Sequence, residues 1–231
     1  MITLAAVTFA VTLSLAMMGI QDGTYDYNIE HSLNMFTGYA QIQHKNFIDN
    51  PTIRNSFYVN QLLVDSLKNM KEVKGFARRI TSFGLVGYKN NSNGGIIIGI
   101  EPKAEASLSK IKDRVRTGTF LSDERIYDVV VGQKMLNNMG INIGDTIVIL
   151  SQGYDGTTGN LKFRVCGGFK MGVNEMDAMG IFMNIKAADE LLNLNGKITN
   201  LVLFLDSRKS LDKIKSTAIP LINDKKISFL N

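Results

Sequence analysis

Apolar positions along this chain recur in distinct rhythms. The first twenty residues, MITLAAVTFAVTLSLAMMGI, hold no charge at all, and a helix of that length spans roughly 30 Å, the hydrocarbon thickness of a bilayer. A transmembrane helix over 1–21 is the expectation. Two alternatives stay open. A secretory signal would use the small-x-small pattern Ser14-Leu15-Ala16, although no basic n-region precedes it. A buried core helix would also be apolar all round. Past Gly19, Tyr25, Ile29, Leu33 and Phe36 recur at helical spacing, which predicts an amphipathic stalk over 22–37, ended by Gly38; a surface helix packed on its own domain is the alternative. The flanking charges Asp22, Asp26 and Glu30 are acidic and the first basic residue is Lys45, so the positive-inside rule turns this end away from the cytoplasm.

Ala40, Ile42 and His44 then alternate with Tyr39, Gln41 and Gln43, the period of a strand. Pro51 breaks the loop that follows. Leu62, Leu63, Leu67 and Met70 share a face of a helix starting near Val59. VKGFARRITSFGLVGY (73–88) reads as a long strand. YKNNSNGG reads as a hairpin turn, because Asn and Gly accept positive φ, and GGIIIGIE returns as a buried strand. Pro102 opens a helix with Leu108, Ile111 and Val115 on one face.

From Ile126 the pattern tightens. A short apolar strand leads into a helix with Met135, Leu136 and Met139 inward, and Gly140 stands where a left-handed C-cap is wanted. Gly144-Asp145 turns the chain into Ile147, Val148, Ile149 and Leu150, a run read as a strand buried on both faces. After the polar turn SQGYDGTTGN, Leu161, Phe163 and Val165 alternate with Lys162, Arg164 and Cys166, a strand with one dry face; Gly167-Gly168 marks a bulge. A last strand enters the helix AADELL. KITNLVLFLD is another apolar strand, and SRKSLDKIKSTAI is a helix with Leu211, Ile214 and Ala218 inward, ending near Pro220. With 119–196 set aside, the order is strand, helix, strand, strand, helix, strand, helix. That is a split β-α-β arrangement, its two helices on one face of an antiparallel sheet, with a β-rich module spliced into the last crossover. The fold class is α+β.

The words VVVGQKML, GDTIVIL, FRVCGGF and AADELL, in this order and spacing over 126–192, resemble the inserted subdomain of the MacB-like periplasmic core domain of FtsX-like ABC transporter permeases, in particular the lipoprotein-releasing branch. The resemblance extends to the apolar start and to TGYAQIQHKNFIDNP. It implies a porter-like α/β part (38–118 and 197–231) and a small mostly-β, Sabre-like subdomain (119–196), carried on the membrane segment and stalk. It further implies a bacterial inner-membrane permease whose main domain is periplasmic. Its partners would be a cytoplasmic ABC ATPase subunit, a second permease subunit, and a lipoprotein or periplasmic carrier protein. Further apolar spans are expected after Asn231. A membrane-tethered binding or adaptor domain without an ATPase is the alternative, and a secreted hydrolase a more distant one.

Composition narrows the chemistry. The 26 basic and 21 acidic residues leave a net charge of +5. Lys68, Lys71, Lys74, Arg78, Arg79, Lys110, Lys112, Arg114 and Arg116 are scattered without interleaved aromatics, which fits solvated faces and argues against nucleic acid. Cys166 is the single cysteine and reads as a small buried hydrophobe. His31 and His44 lack any serine or cysteine motif. Asp123-Glu124, and Glu175 with Asp177, lack the spacing of a calcium loop and read as solvated loops. There is no Walker A pattern and no phosphate-binding glycine spacing, so neither an enzyme nor a cofactor site is expected. The candidate contact residues are Tyr154, read as an exposed aromatic on a polar hairpin, and Met171, Val173, Met176 and Met179, an adaptable apolar stretch suited to a lipid or varied apolar cargo. Ordinary core packing is the competing explanation for the methionines.

Overall fold

The computed structural model describes residues 40–47, 50–207, 210–221 and 227–230, together with Met17. The expected membrane segment 1–21 and stalk 22–37 therefore lie outside the described residues, Met17 apart. Among the described residues no helix is long and apolar enough to cross a membrane.

In chain order the elements are β1 (Ala40–His44), α1 (Gln61–Asn69), β2 (Val73–Tyr88), β3 (Asn91–Ile100), α2 (Pro102–Leu108), β4 (Val115–Gly118), β5 (Asp128–Gly132) and α3 (Gln133–Met139). There follow β6 (Thr146–Gln152), β7 (Thr158–Phe169), α4 (Asn174–Met179), β8 (Gly180–Asn184), α5 (Ile185–Leu192), β9 (Asn200–Leu205), α6 (Leu211–Leu221) and β10 (Ile227–Leu230). One mixed sheet runs in the order β10-β1-β9-β2-β3-β8-β5-β7-β4, with β6 paired to β2 and β7.

The antiparallel block β10-β1-β9-β2 with its crossovers α1 and α6 is the split β-α-β unit. Leu63, Leu67, Leu211, Ile214 and Ala218 from the two helices bury against Ile42, Leu201 and Leu203. The helix paired with α1 is thus α6, whereas α2 lies on the opposite face, where Ala104 and Leu108 cover Ala77, Val202 and Phe204. The polar partners in β1's alternation are explained by its interior position: Asn200 Nδ2 donates to Gln41 Oε1 (2.9 Å) and Gln43 Oε1 (2.7 Å).

Several local expectations are corrected. α1 begins at Gln61, because Asn60 Oδ1 accepts from Leu62 N–H at 3.0 Å; that cap sets the phase so that Leu63, Val64 and Leu67 face inward and Leu62 stays 65% exposed. α2 stops at Leu108. Ser109 Oγ donates to Glu105 O (3.0 Å) and accepts from Ile111 N–H (3.4 Å), a side chain competing for helical backbone groups, so Ile111 enters a second core cluster and Val115 opens β4. The β2–β3 turn is Lys89-Asn90, with Lys89 at φ +51°. The expected turn glycines lie inside β3 instead, where a Cβ on Gly95 would sit 2.8 Å from Val86 Cγ2. β6 alternates, with Ile147 and Ile149 fully buried and Val148 and Leu150 half-exposed, because only one face of this strand is covered.

The expected helix stop holds: Gly140 takes φ +66° and donates to Asn137 O. The expected bulge on β7 falls one residue before the glycines. Val129 and Val130 of β5 pair with Val165 and Gly167, leaving Cys166 as the extra residue. Val165 thereby faces the main core and Cys166 the second, with Ile98, Phe169 and Phe182.

Candidate functional site

Halfway along β2 the sheet forks. Val73–Arg79 pair with β9 and Gly84–Gly87 pair with β6, so the intervening residues lack a continuous strand on that side. Side chains stand in for it. Thr81 N–H donates to Thr199 Oγ1 at 2.8 Å, and Ser151 Oγ donates to Phe83 O at 2.6 Å. At Gly84 the strands approach so closely that a Cβ would lie 2.5 Å from Leu150 O. The loop 50–54 crosses the fork without filling it, leaving an open groove of about 500 Å³ lined by Asn50, Thr52, Arg54, Ser82, Phe83 and Gln152 among others.

Phe83 and Leu85, two residues apart on β2 and 50% and 47% exposed, form an apolar strip on the outer face of the sheet. Their register partners Ile96 and Leu150 continue it. The sequence signal was present: FGLV carries apolar side chains on both faces of one strand, and a half-covered sheet buries only one of them.

The expected contact residues occupy different neighbourhoods. Tyr154 is half-buried rather than exposed: its N–H donates to Leu192 O (2.8 Å), folding the hairpin back onto the end of α5, and Lys197 Nζ lies 3.3 Å from its ring centroid. Met171 is 8% exposed and joins the second core cluster, against which Met176 packs. Met179 packs on the main core. Val173, 54% exposed, is the member of the set that faces solvent. Asp177, expected in a solvated loop, is 2% exposed; it accepts from Met171 N–H (2.6 Å) and Gly172 N–H (3.2 Å) and so fastens this segment.

The family model described as the MacB-like periplasmic core domain matches residues 1–219. The chain belongs to that family. In solved structures, this core domain is similar to the extracellular domain of the noncanonic ABC-type transporter YknZ from Gram-positive bacteria (TM-score 0.59, 14% identity, 83% of this chain and 98% of that one). It is also similar to the periplasmic region of MacB from Actinobacillus actinomycetemcomitans (TM-score 0.60, 13% identity, 83% and 87%). At these identities the likeness is one of fold. The lipoprotein-releasing system transmembrane protein LolC of Xylella fastidiosa, strain Temecula1, is 27% identical over 104 residues, 42% of this chain and 25% of LolC. The same figures hold for strain 9a5c. The chain thus aligns with a quarter of the length of these curated relatives.

Within the MacB-like core domain, several charged groups serve the structure. Asp128 receives both prongs of Arg164 (2.9 and 2.7 Å), with Arg125 at 3.3 Å. Asp145 of the GDT turn accepts from Tyr88 Oη (2.5 Å) and Asn142 N–H (2.8 Å). These bonds, Tyr88's above all, hold its carboxyl below the usual range. Burial pushes the Cys166 thiol up to about 11, which fits a packing role. His44 Nδ1 accepts from Asn46 N–H (3.2 Å), and His31 lies outside the described residues. Among the described residues no His, Cys, Asp and Glu side chains group as a metal site. Arg79, expected on a solvated face, is 3% exposed and paired with Glu105.

Proposed function

We propose that the chain is the extracytoplasmic domain of an ABC transporter permease subunit of the inner membrane, coupling ATP hydrolysis by a separate ATPase to outward movement of lipoproteins or another amphiphile. The observation that carries this reading is where the sheet receives and releases the chain. β1 and β10 are antiparallel neighbours with Gln41 opposite Leu230, so both ends of the domain lie at one end of the sheet. β2, beginning at that end, runs its 16 residues away from it, roughly 50 Å at about 3.3 Å per residue. A body held at one end by both its chain ends, with a continuous strand along its length, tilts as a unit when a membrane segment shifts.

In this reading residues 1–21 span the membrane and 22–37 form a helical stalk that transmits the tilt. The porter-like part (38–118 and 197–231) and the inserted part (119–196) move together because a single sheet joins them. Val173 and the strip of Phe83 and Leu85 are the apolar contacts proposed for cargo, a carrier protein or a second permease subunit. The LolC relatives support the lipoprotein-releasing branch. The test is a Gly-Pro insertion beside Gly23 in the full-length protein, which should abolish transport while ATP hydrolysis and the folded outer domain persist. Undiminished transport in that variant would overturn the coupling.

A further inference from the structure

The groove at the sheet fork has a polar chemistry that the transport reading does not use, and shares only Phe83 with that reading's apolar strip. Asn50, Thr52, Arg54 and Gln152 each bring side-chain hydrogen-bonding groups to it that no other described residue satisfies. Beside them stands the half-exposed ring of Phe83.

We propose that this groove binds a neutral pyranose sugar as a mono- or disaccharide unit. A pyranose presents C–H bonds on its faces and hydroxyls around its rim. It therefore fits one apolar aromatic plate ringed by groups that both donate and accept. Asn50 and Gln152 amides pair with neighbouring hydroxyls, the Thr52 hydroxyl adapts to either role, and Arg54 donates. The volume of about 500 Å³ falls within the ~300–1,000 Å³ of small-ligand clefts. The walls are held in place before any ligand arrives: Ser151 Oγ fixes the Phe83 carbonyl, while Thr52 N–H and Asn55 Nδ2 both donate to Asn50 O at 2.8 Å. Such preorganisation lowers the entropy cost of binding. None of the lining residues is acidic, so the groove lacks the carboxylate pair of glycoside cleavage and holds a sugar without cutting it.

The experiment is saturation-transfer NMR on the full chain in a detergent without sugar headgroups, with cellobiose, maltose and N,N′-diacetylchitobiose as probes. Ring protons of at least one probe should receive saturation, and Phe83→Ala should weaken that binding about tenfold or more, with Gln152→Ala also weakening it. Circular dichroism confirms that both surface variants fold. Displacement by a glucosyl diacylglycerol in the same micelles, below the free-sugar concentration, assigns the source to a lipid headgroup. Displacement only by soluble chito-oligosaccharides assigns it to a glycan chain. No transfer to any probe, transfer unchanged in both variants, or binding confined to digalacturonate and lost only in Arg54→Gln, would each overturn the proposal.

Discussion

Arg79 on β2 and Glu105 on α2 form a two-pronged ion pair across the sheet face, Nε to Oε1 at 2.5 Å and Nη2 to Oε2 at 2.9 Å, with side chains 3% and 0% exposed. It fastens α2 to β2 at Arg79, the last residue of that strand to pair with β9 before the fork. Removing one partner strands a charge in a dry site. Arg79→Met or Glu105→Leu alone should therefore cost about 3–5 kcal/mol in urea unfolding, and the double variant clearly less than the sum of the two. Additive losses would show that the two groups act independently.

Tyr88 and Asp145 tie the β2–β3 hairpin to the turn before β6. Because Asp145 is held below its ordinary value in the folded state, its contribution is present above the unfolded carboxylate pKa and is lost as pH falls through the lowered one. Both Tyr88→Phe and Asp145→Asn should flatten the acid limb of a stability-versus-pH curve. An unchanged acid limb in both would remove this bond from the account.

The Cys166 thiol, raised by burial to about 11 from 9.0, stays protonated at neutral pH. Iodoacetamide at pH 8 should label the native protein at least about tenfold more slowly than the unfolded chain. The linkage has the opposite sense to that of Asp145. Between those two values the unfolded thiol ionises first, so stability declines as pH rises and Cys166→Ser should remove that part of the alkaline limb. Equal labelling rates in the folded and unfolded protein would contradict the burial.

Gly140 closes α3 in the left-handed region at φ +66°, with no atom within 4 Å of where a Cβ would be. The obstacle to substitution is the backbone conformation alone. Gly140→Ala should cost about 1–2 kcal/mol, and Gly140→Asn less, measured as shifts in the urea midpoint. A neutral alanine would mean the turn adopts another conformation.

Asp177 receives the amides of Met171 and Gly172, so Asp177→Ala should speed hydrogen exchange at those two positions while leaving β9 protected, at a stability cost of about 1–3 kcal/mol. Faster exchange throughout the sheet would instead mark a global role.

Local pattern alone dictates several of the elements. The apolar phase of 133–139 and Gly140 dictate α3. The alternation of Leu161, Phe163 and Val165 dictates β7. Leu211, Ile214 and Ala218 dictate the inner face of α6, and the order of these elements sufficed to place the chain in its family. Tertiary structure alone decided which polar and exposed residues matter. Arg79 reads as solvated until Glu105, 26 residues later, meets it in a dry layer. Tyr154 reads as exposed until Lys197 lies on its ring. Phe83 is one more apolar residue of a long strand until the strands on either side of the fork leave its face uncovered. Periodicity reports how a side chain is phased on its own element, whereas burial and pairing depend on what the rest of the chain lays against it. Those contacts join residues too far apart in sequence for any local pattern to record.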